Sequence, residues 1–284
     1  MKIAFISDLH GNLPALEAVL ADIQSREIEQ IVCTGDIVNP FKESLEVYEL
    51  LKKRNIPMLR GNHEDYIVDY FEGKDKGKWD EVNYLPIKLV AEYLGKDTAL
   101  ELKNLPLNLE IEGPDETKIL ACHASPSSNT ESFYDQICEK IEKDLEKTNA
   151  NVIVSGHRHI QWTSFWRKKL LVSFGSLGMP LNGSIKAQYL IMNFDSGKWD
   201  AQHIGVNYSH HETIERYKES LFLKDGGPLA LLFCDQILSG ENRLSVFLEN
   251  YIYNQSDYEN IDWNKEVKKY LESIGRWKYI EKLL

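Results

Sequence analysis

Short apolar, β-branched runs recur along the first two thirds of the chain, and each ends in a cluster of polar residues. Ile3 to Ile6 is the first such run and ends in Ser7-Asp8-Leu9-His10-Gly11-Asn12. Leu13, Leu16, Val19, Leu20 and Ile23 then fall at helical spacing, with Pro14 tolerated in the first turn and Asn12 placed to cap it. Gln30 to Thr34 repeats the theme, ending at Gly35-Asp36 before a helix marked by Leu45, Tyr48 and Leu51. Ile56 to Arg60 leads into Gly61-Asn62-His63-Glu64. This alternation of strand, polar loop and helix predicts a layered α/β fold.

Beyond Tyr66 the pattern is largely helical as far as Leu105, interrupted by a solvated charge cluster from Glu72 to Lys78 that reads as a loop. Leu107 to Glu112 and Lys118 to Cys122 read as strands around a turn at Gly113-Pro114-Asp115, and the second ends at His123. A charged helix is expected over Glu131 to Lys147, then a strand over Asn151 to Ser155 that delivers Gly156-His157-Arg158-His159. Strand-like runs at Gln161 to Trp166, Leu170 to Phe174 and Ala187 to Phe194 follow without helices between them. They imply antiparallel pairing and hence mixed sheets, an α+β element in the α/β plan.

Near Val206 the character changes. Trp263, Val267, Tyr270, Leu271 and Ile274 trace one face of a helix, with Trp277 and Ile280 after Gly275, a stripe suited to packing on the main domain or on a second chain. We expect residues 1–206 to form the catalytic domain and 207–284 a helical C-terminal segment acting as lid, homodimer contact or packing.

Composition narrows the function. With 43% hydrophobic and 27% charged residues over 284 positions, a sizeable core is expected. A net charge of −11 argues against holding a nucleic-acid polymer by its phosphates, whereas a small phosphorylated substrate remains compatible if cations supply local positive charge. Cys33, Cys122, Cys138 and Cys234 show no Cys-x-x-Cys spacing and read as reduced, mostly buried thiols, with Cys122 facing the core. No apolar run approaches the roughly 20 residues that span a bilayer, so a soluble, cytoplasmic protein without a membrane partner is expected.

The candidate chemistry lies at the strand ends. A single His-x-His such as His157-Arg158-His159 is common on protein surfaces. Here Asp8, His10, Asp36, Asn62, His63, His123, His157 and His159 all stand just past strand-like runs, positions that converge on one sheet edge. Five of the eight histidines belong to this set; His203, His210 and His211 lie outside it and read as surface residues. Nitrogen and oxygen donors without thiolate suit manganese, iron, cobalt, nickel or zinc better than a structural thiolate site.

In order, Asp8-x-His10, Gly35-Asp36, Gly61-Asn62-His63-Glu64, His123 and Gly156-His157-x-His159 resemble the signature blocks of the calcineurin-like metallophosphoesterase superfamily. Phe174-Gly175-Ser176-Leu177-Gly178-Met179-Pro180 is similar to a segment of its small prokaryotic phosphodiesterase-like branch. The resemblance implies a two-sheet β-sandwich flanked by helices, with two divalent metal ions, manganese first. Asp8, His10 and His159 would hold one, Asn62, His123 and His157 the other, and Asp36 would bridge them. His63 would face the substrate as general acid or phosphoryl donor, and Arg60, Arg158 and Asn12 are the substrate-binding candidates. Ions roughly 3.5–4 Å apart can share a carboxylate and a hydroxide and clamp the oxygens of an in-line displacement. Two aspartates against two divalent ions leave a charge that one hydroxide and one monoanionic diester balance. We therefore expect hydrolysis of a small phosphodiester or nucleotide polyphosphate. A serine/threonine protein phosphatase, another phosphomonoesterase or a metal-binding scaffold are the rival readings. A carboxylate beside His63, Glu64 or Asp65, would orient its ring and raise its pKa. Ala124, Arg158 and Asn39-Pro40-Phe41 depart from the family pattern at the rim.

Overall fold

Alternation along the first strand, β1 (Lys2–Ile6), builds two cores at once: Ile3 and Phe5 point into one, Ala4 and Ile6 into another. The computed structural model describes residues 1–133, 137–220, 222–253 and 261–283. The other strands are β2 (Gln30–Cys33), β3 (Asn108–Glu112), β4 (Lys118–Cys122), β5 (Val152–Ser155), β6 (Gln161–Trp166), β7 (Lys169–Phe174), β8 (Ala187–Asp195) and β9 (Lys198–Val206). Among the described residues they form a four-stranded sheet, β2-β1-β8-β9, and a five-stranded sheet, β3-β4-β5-β7-β6. In the five-stranded sheet the parallel pairs (β4 with β5, β5 with β7) sit at the centre with antiparallel pairs outside them, whereas in the four-stranded sheet the parallel pair, β1 with β2, lies at one edge and β1 with β8 and β8 with β9 are antiparallel. The sheets face each other across Ile3, Phe5, Val32, Ile119, Val154, Val172, Phe174 and Leu190. The expected sandwich is thus present.

Helices α1 (Leu13–Ser25), α2 (Ser44–Lys53), α3 (Asn62–Glu72) and α4 (Leu85–Lys103) come from the first half of the chain. The core that covers the outer face of β1 and β8 takes side chains from all four. Helix α5 (Glu139–Lys147) covers the second sheet through Ile141 and Leu145, and Cys122 is buried there. Three expectations change. The helix foreseen from Glu131 starts at Glu139: the Ser128 hydroxyl accepts the Thr130 and Glu131 amides, holding that stretch in a turn, while residues 134–136 lie outside those described. Ile56 to Arg60 contributes one bridge, Cys33 to Met58, rather than a strand. Strand β9 was not foreseen, because its apolar residues are split between two faces, Trp199 and Ala201 on one and Ile204 and Val206 on the other, and lie where the composition shifts.

The C-terminal region holds α6 (His210–Glu219), α7 (Phe222–Asp225), α8 (Leu229–Ser239), α9 (Leu244–Phe247), α10 (Trp263–Ser273) and α11 (Trp277–Ile280). Helix α8 is apolar nearly all round and sits at the centre of a separate core. Val267, Tyr270 and Leu271 of the predicted stripe are buried in it, whereas Ile274 is exposed. Two residues from the sandwich half, Phe41 and Met179, complete that core.

Candidate metal centre

Asp8, His10, Asp36, His157 and His159 all adopt left-handed backbone with φ between 49° and 67°, a region costly for residues with a side chain. The surrounding loops fix it. Asp8 N donates to Gly35 O and His10 N to Asp36 O, each at 3.0 Å, while Leu177 N and Gly178 N donate to Ser7 O and Asp8 O at 2.9 Å. The loop after β1 is thereby stitched between those after β2 and β7. Two glycines permit the approach. A Cβ on Gly156 would lie 2.3 Å from an Asp8 carboxylate oxygen, and one on Gly61 would lie 2.2 Å from Asp36 Oδ1. Both Asp8 oxygens consequently reach the His157 amide, at 3.1 and 3.0 Å.

The histidines are oriented from behind. His10 Nδ1 lies 2.5 Å from Asn39 O, His159 Nδ1 2.6 Å from Met179 O and His123 Nδ1 3.0 Å from Thr34 O. A carbonyl can only accept, so each Nδ1 carries a proton and each Nε2 is the atom turned into the cluster. Those Nε2 atoms meet one another and carboxylate and amide oxygens. His10 Nε2 is 3.1 Å from His159 Nε2, His159 Nε2 is 3.3 Å from Asp8 Oδ1, and His123 Nε2 is 3.3 Å from Asp36 Oδ2 and 3.1 Å from Asn62 Oδ1. His157 Nδ1 is 3.0 Å from the same Asn62 oxygen. Donor atoms of Asp8, His10, Asp36 and His159 lie within 4.8 Å of one another, as do those of Asp36, His123 and His157. Nitrogen and oxygen donors packed this closely need protons or cations between them, and the set fits divalent ions.

Protonation follows the same geometry. Burial works against charge on Asp8 and Asp36, yet His159 beside the first and His123 beside the second hold both carboxyls below the usual range. His123 is buried too, but Asp36 raises it to about 9, and Asp8 raises His159. Desolvation lowers His10 to about 3, helped by His63, and His157 to about 4, helped by His123.

His63 stands edge-on to His10, with ring centroids 4.7 Å apart, and to Tyr66 at 5.2 Å. Neither Glu64 nor Asp65, the two carboxylates expected beside it, is its partner among the described residues. Glu64, fully buried, accepts the amides of Asp36, Ile37, Val38 and Gly61 at 2.7–3.2 Å, and Asp65 takes Asn129 and Arg60. Desolvation therefore lowers the pKa of His63, against the pull of Asp36. The reason is helical geometry: from the third position of α3, Glu64 reaches back over the N-terminus and away from His63.

Two rim candidates are engaged within the chain. Asn12 is fully buried; its amide donates to Gly178 O and the Tyr208 hydroxyl, and its oxygen accepts from Ala15 N and the Thr213 hydroxyl. It caps α1 as expected and has no polar atom left for a substrate. Arg60 is engaged by Asp65 at 3.3 Å and by Lys103 O at 2.6 Å, in a surface cleft lined by Asp69, Glu72 and Lys74. Arg158 is exposed between His157 and His159. His203 and His210 are half-buried rather than on the surface, through contacts to Thr163 and Ile185 O; His211 is exposed. The amide-accepting role of Glu64 and the carbonyls of Asn39 and Met179 escaped the sequence reading. Glu64, three residues after the cap glycine, carried a signal; the carbonyls carried none.

Comparison with known proteins agrees with this geometry. The family model for calcineurin-like phosphoesterases matches residues 1–161. The uncharacterized protein MJ0912 of Methanocaldococcus jannaschii is 31% identical over 232 residues, 75% of this chain and 90% of that protein. Serine/threonine-protein phosphatase 2 of Salmonella typhimurium is 23% identical over 60% of this chain and 86% of its own length. A metallophosphoesterase structure from Sphaerobacter thermophilus (TM-score 0.66, 22% identity) covers 84% of this chain and 99% of its own. That of PH1004 from Pyrococcus horikoshii (TM-score 0.67, 20% identity) covers 84% and 98%; both likenesses speak to fold alone. With the family model spanning more than half of the chain, and a relative above 30% identity over three quarters of it, the chain belongs to the calcineurin-like phosphoesterase family, whose members are metal-dependent phosphoester hydrolases.

Proposed function

We propose that the protein hydrolyses a small phosphodiester or nucleotide polyphosphate with two divalent cations, manganese first. Asp8, His10 and His159 hold one, Asn62, His123 and His157 the other, and Asp36 both. The observation that carries this reading is the convergence of three buried Nε2 atoms on one another and on carboxylate and amide oxygens. When bound, the ions lower the pKa of water and neutralise charge on the phosphoryl oxygens. The chain does the rest. Carbonyls behind the rings fix their tautomers, and the Gly61 amide and three from the Asp36 loop hold Glu64. His63, beside His10, donates a proton or hydrogen bond to the leaving oxygen. Arg158, exposed between two ligands, meets the substrate's outer charge.

Charge favours a diester. Asp8 and Asp36 are the carboxylates within the cluster, and Glu64 is met by four amides, so two divalent ions leave room for one hydroxide and one monoanion. The C-terminal segment is read as packing within the chain, because Val267, Tyr270 and Leu271 are covered by its own core. Among the described residues no helix is long and apolar enough to cross a membrane.

The test is an assay of metal-stripped protein reloaded with Mn²⁺ on an aryl phosphodiester and the matching monoester, with His63→Ala alongside. Metal-dependent diester turnover, falling on the order of 10²–10⁴-fold in the variant, is expected. Preference for the monoester would replace this reading with a phosphatase, in line with the Salmonella relative. Tight binding of two ions without turnover of either ester would favour a scaffold.

A further inference from the structure

The two groups of histidines are braced from different parts of the molecule. Behind His123 stands Thr34 O, on the residue directly after β2, within the sandwich. Behind His10 and His159 stand Asn39 O and Met179 O, and both segments run into the C-terminal core. Two residues past Asn39, Phe41 stacks on Tyr217 of α6 at 3.9 Å with its rings 12° from parallel, and meets Phe222 and Phe233 edge-on at 5.1 and 6.0 Å. Ser44 closes the loop between: its hydroxyl accepts from Asn39 N at 2.9 Å and donates to Phe41 O. Met179 is 5% exposed, and its sulfur receives the Gln236 side-chain amide of α8 at 3.1 Å. The same strip is fixed again by Gly183 N donating to Gly240 O, just past α8, at 2.9 Å.

We propose that the C-terminal helical core is a positioning element for one cation site only: through Phe41 and Met179 it sets the carbonyls that aim His10 and His159, and it leaves the site of Asn62, His123 and His157 untouched. The inference rests on the dinuclear reading above. Its physical basis is that an imidazole ligand is only as well aimed as the acceptor behind it. Losing such an acceptor weakens metal binding about 10- to 100-fold. A carbonyl cannot be deleted by mutation, but the packing that holds its segment can be loosened. Tyr217 touches neither ligand ring, so its effect travels through Phe41.

The experiment titrates Mn²⁺ into metal-stripped full-length protein by calorimetry, with thermal melts confirming that each variant is folded. Parent protein is expected to bind two ions. In Tyr217→Leu, and in Phe41→Leu, which cuts the same stack from the other side, one ion should weaken about 10-fold while the other keeps its affinity. Tyr217→Phe keeps the ring and loses a buried hydroxyl that has no partner among the described residues, and should bind as the parent does. Val267→Ala removes volume from the same core on α10, which packs on α8 and α11, and should lower the melting temperature while sparing both affinities. Adding His159→Ala should make the remaining ion insensitive to Tyr217→Leu, whereas adding His123→Ala should leave it sensitive. Equal weakening of both ions, no weakening in the leucine variants, or a Val267→Ala protein that behaves like Tyr217→Leu would overturn the inference and leave the dinuclear reading standing. A parent that binds fewer than two ions would overturn both.

Discussion

Two fully buried carboxylates, Glu64 and Asp235, are accommodated in different ways, and the contrast separates the chemical half of the molecule from the architectural half. Glu64 accepts four backbone amides, from Gly61 at the start of α3 and from the loop of Asp36 to Val38. Among the described residues no cationic side chain touches it. Burial and the Asp36 carboxylate push its pKa up to about 7 against those four donors. Asp235 on α8 instead takes Arg243 Nε on one oxygen and Arg276 Nε on the other, both at 2.7 Å. Its charge is cancelled, and the pairs tie the start of α9 and the link from α10 to α11 onto α8. A carboxylate dressed in amides can tune a cation site; one dressed in guanidinium groups is a cross-link.

The comparison breaks most visibly at Asp235. Asp235→Ala should cost about 3 kcal/mol of stability, because both arginines keep only part of their solvation, while turnover per folded molecule stays close to the parent's. Denaturant melts with an assay below the transition check this, and a loss of activity without loss of stability would erase the distinction. Glu64→Gln is the milder counterpart. The neutral amide offers one acceptor oxygen to four N–H groups, so about 2 kcal/mol should be lost and metal affinity should fall roughly 10-fold, a coupling absent at Asp235.

The smallest effect sharpens the chemical side. In the metal-free cluster His123, raised to about 9, retains a proton at pH 7 that arriving cations must expel, and Asp8 raises His159 in the same direction. His10, near 3, and His157, near 4, carry none to release. On the proposed ligand set, metal affinity rises with pH from neutrality and levels off above about 9, with proton release at pH 7. Calorimetry in buffers of different ionisation enthalpy reads that release directly, and a pH-independent affinity between 7 and 9 would contradict the assignment.

Much of this was legible because strands announce themselves by apolar runs and the chemistry sits at their ends. Asp8, Asp36, His123 and His157 follow such runs within a few residues, so their convergence could be expected from topology alone. Asn12 and Arg60 looked equally available, since both are polar residues beside the blocks. Yet one is consumed by α1, Gly178, Tyr208 and Thr213, and the other by Asp65 and Lys103 O. A partner brought in from 201 residues away, as Thr213 is for Asn12, leaves no trace in local pattern.

By itself, then, the order of residues determined the layered fold, the donor types and their place at strand ends, because apolar periodicity and side-chain chemistry are properties of short stretches. The tertiary structure alone decided which nitrogen of each imidazole faces inward, that Glu64 serves backbone amides rather than His63, and that Phe41 and Met179 join a core built by the C-terminal helices. Those outcomes depend on where carbonyls, amides and rings from distant segments meet. Distances of about 3 Å between such atoms are fixed by packing the whole chain.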